Sequence, residues 1–360
     1  MSQRPWIEVN GKSYSHDAIL KISVDKSSTA FEMVVLTFCK KWLSGQKEFF
    51  IQTSGSTGSP KQIRLLRSQM EASASQTIEA LQLKSEMTSL VCLDTKYIAG
   101  QMMLVRSFIA GMNVIAIEPS SNPFDKIKTD PIDFVALVPY QLEYLLTYLP
   151  ETLDQVRCAV IGGAPISFAL KEKARKSKCA IFATYGMTET LSHIALQRLG
   201  GLQPQDYFEA FSTVKLRLDN RGCLCIRINF LSKEIITNDL VELVEERKFR
   251  WLGRIDNVIN SGGIKIIPEK VESIFEEVFN QLQIKNRFLV AGTPHDQLGQ
   301  QVTLIMEGSP FEKPVQEKIL NVKIHQLSKY ELPKKVIFIP LFKKTATGKI
   351  NRPATVALLQ

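Results

Sequence analysis

The sequence predicts an α/β protein in two parts. The larger, N-terminal part is a doubly wound, mainly parallel sheet with a β-hairpin-rich subdomain, and the smaller is a mobile α+β C-terminal domain. Three observations carry the prediction. The chain has 360 residues, which at roughly 150 per domain is about two domains. Short apolar runs alternate with helical patterns from Ser89 to Thr184, as parallel strands joined by crossover helices require. After Val214 the apolar period becomes two, the signature of antiparallel hairpins.

The elements follow in order. Phe31, Val34, Val35, Phe38 and Trp42 stand at helical spacing within a helix expected from Ser28 to Leu43, and Phe49 to Ile51 reads as a buried strand. Ser68 with Glu71 three residues later reads as a capping box opening a helix toward Leu81. Strands are then expected at Ser89–Leu93, Asn113–Ile117, Phe134–Val138, Val156–Ile161 and Ala180–Thr184. Helices are expected at Tyr97–Ala110, Tyr140–Leu149 and Ser167–Ser177. Val214, Leu216 and Leu218 alternate with charged residues, Asp219 to Gly222 turns, and Leu224, Ile226 and Ile228 alternate again. Glu234 to Trp251 continues as short strands. The expected boundary lies near Asp256, giving domains 1–255 and 256–360.

Composition excludes several classes. Nineteen glycines and sixteen prolines with 44% apolar residues rule out collagen-like and low-complexity chains. No apolar run reaches the roughly 18 residues of a membrane span, and Arg4, Trp6 and Glu8 interrupt the start where a signal peptide needs an apolar stretch. A cytoplasmic protein without membrane insertion is therefore expected. The net charge of +9 suits polyanionic partners. From Asn257 on, fourteen basic residues face nine acidic ones, but they are scattered rather than massed with aromatics, which disfavours nucleic acid. The six cysteines form no C-x-x-C pair and lie mostly in apolar runs, so they read as reduced and structural, and no zinc site is expected.

Four motifs carry chemistry. Directly after the first buried strand stand Thr53, Ser54, Gly55, Ser56, Thr57, Gly58, Ser59, Pro60 and Lys61. Inward-turned backbone N–H groups, hydroxyl donors and one lysine can cradle phosphate oxygens; a plain Gly/Ser linker is the alternative. This is no Walker A loop, because Pro60 stands where that motif has its second glycine. Tyr185, Gly186, Met187, Thr188, Glu189 and Thr190 lie just past a parallel strand, where open sheets bind ligands. Glu189 could hold Mg²⁺ and Thr188 could reach a phosphate oxygen, although a capped helix start explains the same residues. In Thr237-Asn238-Asp239, followed by Arg254, a buried carboxylate would suit two vicinal hydroxyls; a solvated turn aspartate is the alternative. At the end of the chain, Lys349 in Thr347-Gly348-Lys349-Ile350 could reach a developing negative charge, or belong to a basic tail.

In this order and spacing, together with Asp256 to Ile266, the motifs resemble the adenylate-forming superfamily of acyl-CoA synthetases, nonribosomal adenylation domains and luciferases. The resemblance runs from about Phe49 to Arg352. It implies that ATP and a carboxylic acid give an acyl-adenylate and pyrophosphate, and that coenzyme A then displaces AMP, with Mg²⁺ as cofactor. It assigns the pyrophosphate end to Thr53 through Lys61, adenine to Gly162, Gly163, Ala164, Pro165 and Tyr185, the α-phosphate to Thr188, Mg²⁺ to Glu189, and ribose to Asp239 and Arg254, with Gly186 also in the ATP/AMP site. It also makes Lys349 catalytic, Asp256 the hinge, and Gly262, Gly263 and Lys265 the loop of the thioester step. Gln62 and Asn238 stand where the family usually has glycine. Only some 50 residues precede Thr53, so against the longer members of the family much of the usual N-terminal subdomain is expected to be missing.

The compact chain, Tyr97 to Arg106 and Thr188 to Ile194 look like the small o-succinylbenzoate-CoA ligases of menaquinone synthesis. That substrate has two carboxylates, and the one not activated must meet a cation or several donors. Lys96, Arg106, Ser192 and His193 are the candidates, with core packing as the alternative for Arg106 and His193. Rival readings are an enzyme that loads a carrier protein and a non-catalytic adenylate-binding module.

Overall fold

A computed structural model describes residues 5–22, 28–52, 62–127, 131–322, 324–345 and 350–359. Six strands run parallel at the centre of its largest sheet, in the spatial order Ala180–Gly186, Cys158–Ile161, Phe134–Leu137, Thr88–Val91, Asn113–Ala116 and Ile7–Val9. Chain order reverses between Thr88–Val91 and Phe134–Leu137, so the sheet is doubly wound and has its switch point there.

Because neighbouring residues of a strand face opposite ways, the sheet is apolar on both sides. Phe134 and Ala136 join the core beneath helices Ala30–Leu43, Arg67–Leu81 and Ile98–Ala110, whereas Val135 and Leu137 join the one beneath Pro139–Tyr148 and Phe168–Ala174. Antiparallel strands extend the sheet past Ala180–Gly186: His193–Arg198, Phe208–Ala210, Lys248–Arg254, Ile235–Glu245, Cys223–Ile228 and Val214–Leu218. The last two form the expected hairpin, with Leu218 opposite Leu224.

A second sheet begins at Ile259. Ile259–Ser261, Ile264–Ile266, Gly299–Glu307, Phe288–His295 and Lys335–Ile339 make it up. Helix Pro268–Gln281 covers it through Val271, Phe275 and Phe279. The same helix reaches the larger sheet's side of the molecule, where Glu276 accepts a 2.6 Å hydrogen bond from the Phe168 backbone N–H. At Gly253 a Cβ atom would collide with Glu269 and Ile267, so this close approach needs glycine.

Two local expectations are corrected. The strand Glu48–Gln52 is not buried on both faces: among the described residues it pairs with Gln62–Leu66 in a separate two-stranded sheet. Phe49 and Ile51 are buried while Phe50 is 54% exposed, because a two-stranded hairpin has one covered face. Helix Arg67–Leu81 does not start on a Ser68 capping box. Gln69 accepts from the Leu66 N–H at 3.2 Å, and Glu71 pairs with Arg67 at 2.7 Å instead. All six cysteines are buried and free, and burial pushes the thiols of Cys39, Cys92 and Cys158 up to about 12. Among the described residues no helix is long and apolar enough to cross a membrane.

Candidate active site

A cavity of about 260 Å³ opens at the carboxyl ends of the parallel strands, at the switch point. Leu93 follows one strand into it, Leu137 and Val138 end the next, Gly162 and Gly163 follow the third, and Thr184 and Gly186 end the fourth. Ala164 and Pro165 continue the third turn without regular structure.

The chain after Tyr185 is pinned rather than helical. Thr190 Oγ1 accepts from the Met187 N–H at 2.9 Å and donates to the Ser192 carbonyl at 2.7 Å, and Thr188–Thr190 is a single 3₁₀ turn. The turn sends the chain straight back as strand His193–Arg198. A Cβ on Gly186 would strike the Ser192 and His193 backbone. This close return places Thr188, Ser192 and His193 on the cavity wall. Glu189, next to Thr188 in the turn, is exposed.

The second cluster lies on the adjoining strands. Asp239 and Arg254 are cross-strand partners. Asp239 is 6% exposed, receives the Tyr185 hydroxyl at 2.6 Å and faces the Arg254 guanidinium at 3.5 Å. The Tyr185 ring packs edge-on against Phe249, at 5.0 Å between centroids. Burial and then the Asp239 charge push its hydroxyl pKa upward, so it remains a hydrogen-bond donor. Arg254 also bonds Asp256 at 2.9 Å, and the Asn238 amide bonds both Asp256 oxygens at 3.0 and 3.2 Å. The Arg254 bond holds the Asp256 carboxyl below the usual range, with Asn238 helping.

Arg106 is the electrostatic oddity. It is 2% exposed on the cavity wall, and among the described residues no carboxylate is paired to it. Its Nη2 donates to Ser192 Oγ at 2.7 Å, while its Nε has no partner. Burial without a counter-ion pushes the guanidinium down to about 9, so it stays cationic at neutral pH. Beside it His193 bonds Thr77 at 3.0 Å, and burial followed by Arg106 lowers its pKa well below the usual value.

A buried neutral histidine has a pH signature. The unfolded chain takes up a proton near pH 6.5 and the folded one does not, so this stability is present above that pH and lost below it. His193→Gln should therefore remove about 2 kcal/mol of the stability lost between pH 7.5 and pH 5. Urea unfolding at the two pH values measures it, and a pH-independent difference would contradict a neutral His193.

The structure thus brings together Gly162, Gly163, Gly186, Thr188, Arg106, Ser192 and His193, and links Tyr185, Asp239, Arg254 and Asp256 into one network. It does not bring Lys96 to the cavity. Lys96 precedes helix Ile98–Ala110 and borders a separate groove, because only Ile98, Ala99 and Arg106 of that segment turn toward the cavity. Gly262 and Gly263 form the positive-φ turn of a C-terminal hairpin, with Lys265 exposed on its second strand. Thr53 through Lys61 and Lys349 lie outside the described residues. Sequence reasoning missed Thr77 and the Asn238–Asp256 contact; only the departure from glycine at Asn238 hinted at the latter.

The fit of Mg²⁺ can be judged from the donors. Among the described residues no cluster of three histidine, cysteine or acidic side chains exists. Glu189 offers an exposed carboxylate. One carboxylate plus substrate phosphates is an ordinary Mg²⁺ arrangement, so the residues fit.

A family model described as AMP-binding enzyme matches residues 34–217. A 2-succinylbenzoate–CoA ligase of Bacillus cereus is 25% identical over 93% of this chain and 77% of its own length. That of Listeria monocytogenes serotype 4b is 24% identical over 94% and 77%. A crystal structure of an acyl-CoA synthetase (AMP-forming)/AMP-acid ligase II-like protein from Dyadobacter fermentans is 35% identical, covering 96% of this chain and 99% of that one, with a TM-score of 0.64. The o-succinylbenzoate CoA synthetase of Bacillus subtilis, in complex with its acyl-adenylate intermediate, shares the fold with a TM-score of 0.70 at 22% identity, over 84% of this chain and 68% of that one. With more than half of its length matched by the family model and a 35% identical relative covered almost end to end, the chain belongs to the AMP-binding enzyme family.

Proposed function

We propose that the protein is an AMP-forming acid–thiol ligase that activates 2-succinylbenzoate with ATP and passes the acyl group to coenzyme A, and that it works in the cytoplasm, where its buried thiols stay reduced. The observation that carries the substrate choice is the counter-ion-free Arg106 in the cavity wall. A buried cation without a partner is costly, and a second carboxylate on the acid supplies the partner. The names of the matched relatives support the same choice.

The roles proposed for the described residues draw support from where they lie. Asp239 offers acceptor oxygens to vicinal ribose hydroxyls once the Tyr185 hydroxyl yields one of them. The turn at Gly162 to Pro165 borders the adenine side, and Thr188 faces the α-phosphate. Mg²⁺ on Glu189, when bound, neutralises phosphate charge. Lys349 offsets the repulsion between the attacking carboxylate and the phosphate. Residues 1–255 and 256–360 act as two domains hinged at Asp256, which exchanges the Lys349 segment for the Gly262 to Lys265 hairpin between half-reactions. Asn238 and Arg254 hold that hinge residue.

Two measurements test this reading. Pyrophosphate release over a panel of acids, with and without coenzyme A, should show 2-succinylbenzoate as the preferred acid and thioester only with the thiol; turnover of fatty or aryl monoacids alone would refute the substrate. Asp239→Ala should raise the KM for ATP roughly 10- to 100-fold, the loss of one or two charged hydrogen bonds. An unchanged KM for ATP would remove Asp239 from the ribose site.

A further inference from the structure

Arg352 stands three residues after Lys349, and the fold ties it down at both ends of its guanidinium. Strand Phe288–His295 is at the edge of the C-terminal sheet: among the described residues it pairs only with Gly299–Glu307. An edge strand turns every second N–H and C=O away from its neighbour, and at Val290 both are met by side chains. Glu272, on helix Pro268–Gln281, accepts from the Val290 N–H at 2.6 Å, and Arg352 Nη1 donates to the Val290 carbonyl at 2.6 Å. The circuit closes where Arg352 Nη2 donates to the second Glu272 oxygen at 2.7 Å. The two side chains are only 17% (Glu272) and 21% (Arg352) exposed, so salt and water screen the pair little.

What the pair holds is the base of the segment that carries Lys349. Lys344 and Ile350 form an antiparallel bridge, the Asn351 N–H donates to the Lys343 carbonyl at 2.8 Å, and the Lys343 N–H donates to Thr355 Oγ1 at 3.1 Å. Asn351 Oδ1 caps helix Arg352–Val356 through the Ala354 N–H at 3.1 Å. Val356 packs on the cluster of Leu289, Ala291, Ile305, Ile339 and Phe342. A covered ion pair adds little net stability over an apolar pair of the same volume. It does supply one fixed geometry, because the guanidinium fork meets a carboxylate and a carbonyl in a single orientation. An ammonium that acts on charge developing at one phosphorus needs such a fixed base, since a misplacement of about 1 Å can cost about 10²-fold in rate. We propose that Glu272 and Arg352 are positioning residues for adenylation, fixing the base from which Lys349 reaches the reacting carboxylate and phosphate. The inference rests on the adenylation role proposed for Lys349.

The thioester step is held separately. The Gly262 to Lys265 hairpin is fastened by the Gly262 N–H to the Leu298 carbonyl at 2.9 Å and by the Asn260 N–H to Gln300 Oε1 at 3.0 Å. Neither bond involves the pair, so the two half-reactions separate a positioning role from a structural one.

Glu272→Gln, Arg352→Lys and Arg352→Ala are compared with wild type and Lys349→Ala in the full chain. Acid-dependent exchange between ATP and labelled pyrophosphate reads adenylation, and conversion of preformed acyl-adenylate with coenzyme A reads the thioester step. The proposal expects kcat for exchange to fall at least about tenfold in the two conservative variants and about 10²-fold in Arg352→Ala, with the KM for ATP and the thioester step within about twofold of wild type. Added guanidinium, below denaturing concentrations, should restore part of the exchange in Arg352→Ala and none in Lys349→Ala. The conservative variants decide the matter if Arg352→Ala unfolds. Exchange left intact in them while Lys349→Ala abolishes it would overturn the proposal. Equal losses in both half-reactions would overturn it too, because they mark a pair that serves folding alone. Exchange untouched in Lys349→Ala would instead refute the role of Lys349, and the proposal with it.

Discussion

Lys349→Ala is expected to abolish acid-dependent exchange between ATP and labelled pyrophosphate, lowering its rate by at least about 10²–10³-fold, while the variant still converts preformed acyl-adenylate and coenzyme A to thioester. The split follows from the charges. Adenylation drives a carboxylate against a triphosphate, and no other step gathers so much negative charge at one point. A positioned ammonium acts only while that charge develops, so its removal changes kcat of the first half-reaction rather than ATP binding. Equal losses in both half-reactions would point instead to misfolding of the C-terminal part. No loss in either would remove Lys349 from the chemistry.

Arg106→Met should produce two opposite changes. For 2-succinylbenzoate, kcat/KM should fall roughly 30- to 1,000-fold, the effect of losing about 2–4 kcal/mol from a buried, hydrogen-bonded charge pair. An acid without the distal carboxylate should lose little. The free protein should become more stable, by about 1–4 kcal/mol, because a buried guanidinium with an orphaned Nε is replaced by an apolar chain of similar length. A functional cation kept at the expense of stability predicts this pair of outcomes. A cation kept for packing predicts lost stability together with an equal loss for both acids. Denaturant unfolding and kinetics on the two acids distinguish them.

The parallel strands were legible because each is a short apolar run bounded by turns, buried on both faces as Phe134–Leu137 is. The hairpins after Val214 were legible through their period of two. Strand Glu48–Gln52 was not: three consecutive apolar residues look the same whether one face or two are covered, and only the exposure of Phe50 separates the cases. Ile7–Val9 has no periodic signal and exists by pairing with Asn113–Ala116, more than one hundred residues away.

At the site, the strand-end position of Tyr185 to Thr190 could be read locally, since a ligand-binding turn follows a parallel strand. Contacts across the fold could not. Arg106 meets Ser192, and Thr77 meets His193, only because the chain doubles back at Gly186. Lys96 and Arg106 were equal candidates from charge alone. The rotation of helix Ile98–Ala110 assigns one to the cavity and the other to the groove behind it.

The most direct test compares initial rates of pyrophosphate release with 2-succinylbenzoate, 4-oxo-4-phenylbutanoate and 2-butanoylbenzoate, using wild type and Arg106→Met. A strong wild-type preference for the diacid that collapses in the variant is the predicted result. Equal wild-type rates for all three acids, or a preference that survives loss of the guanidinium, would contradict the pairing of Arg106 with a second carboxylate.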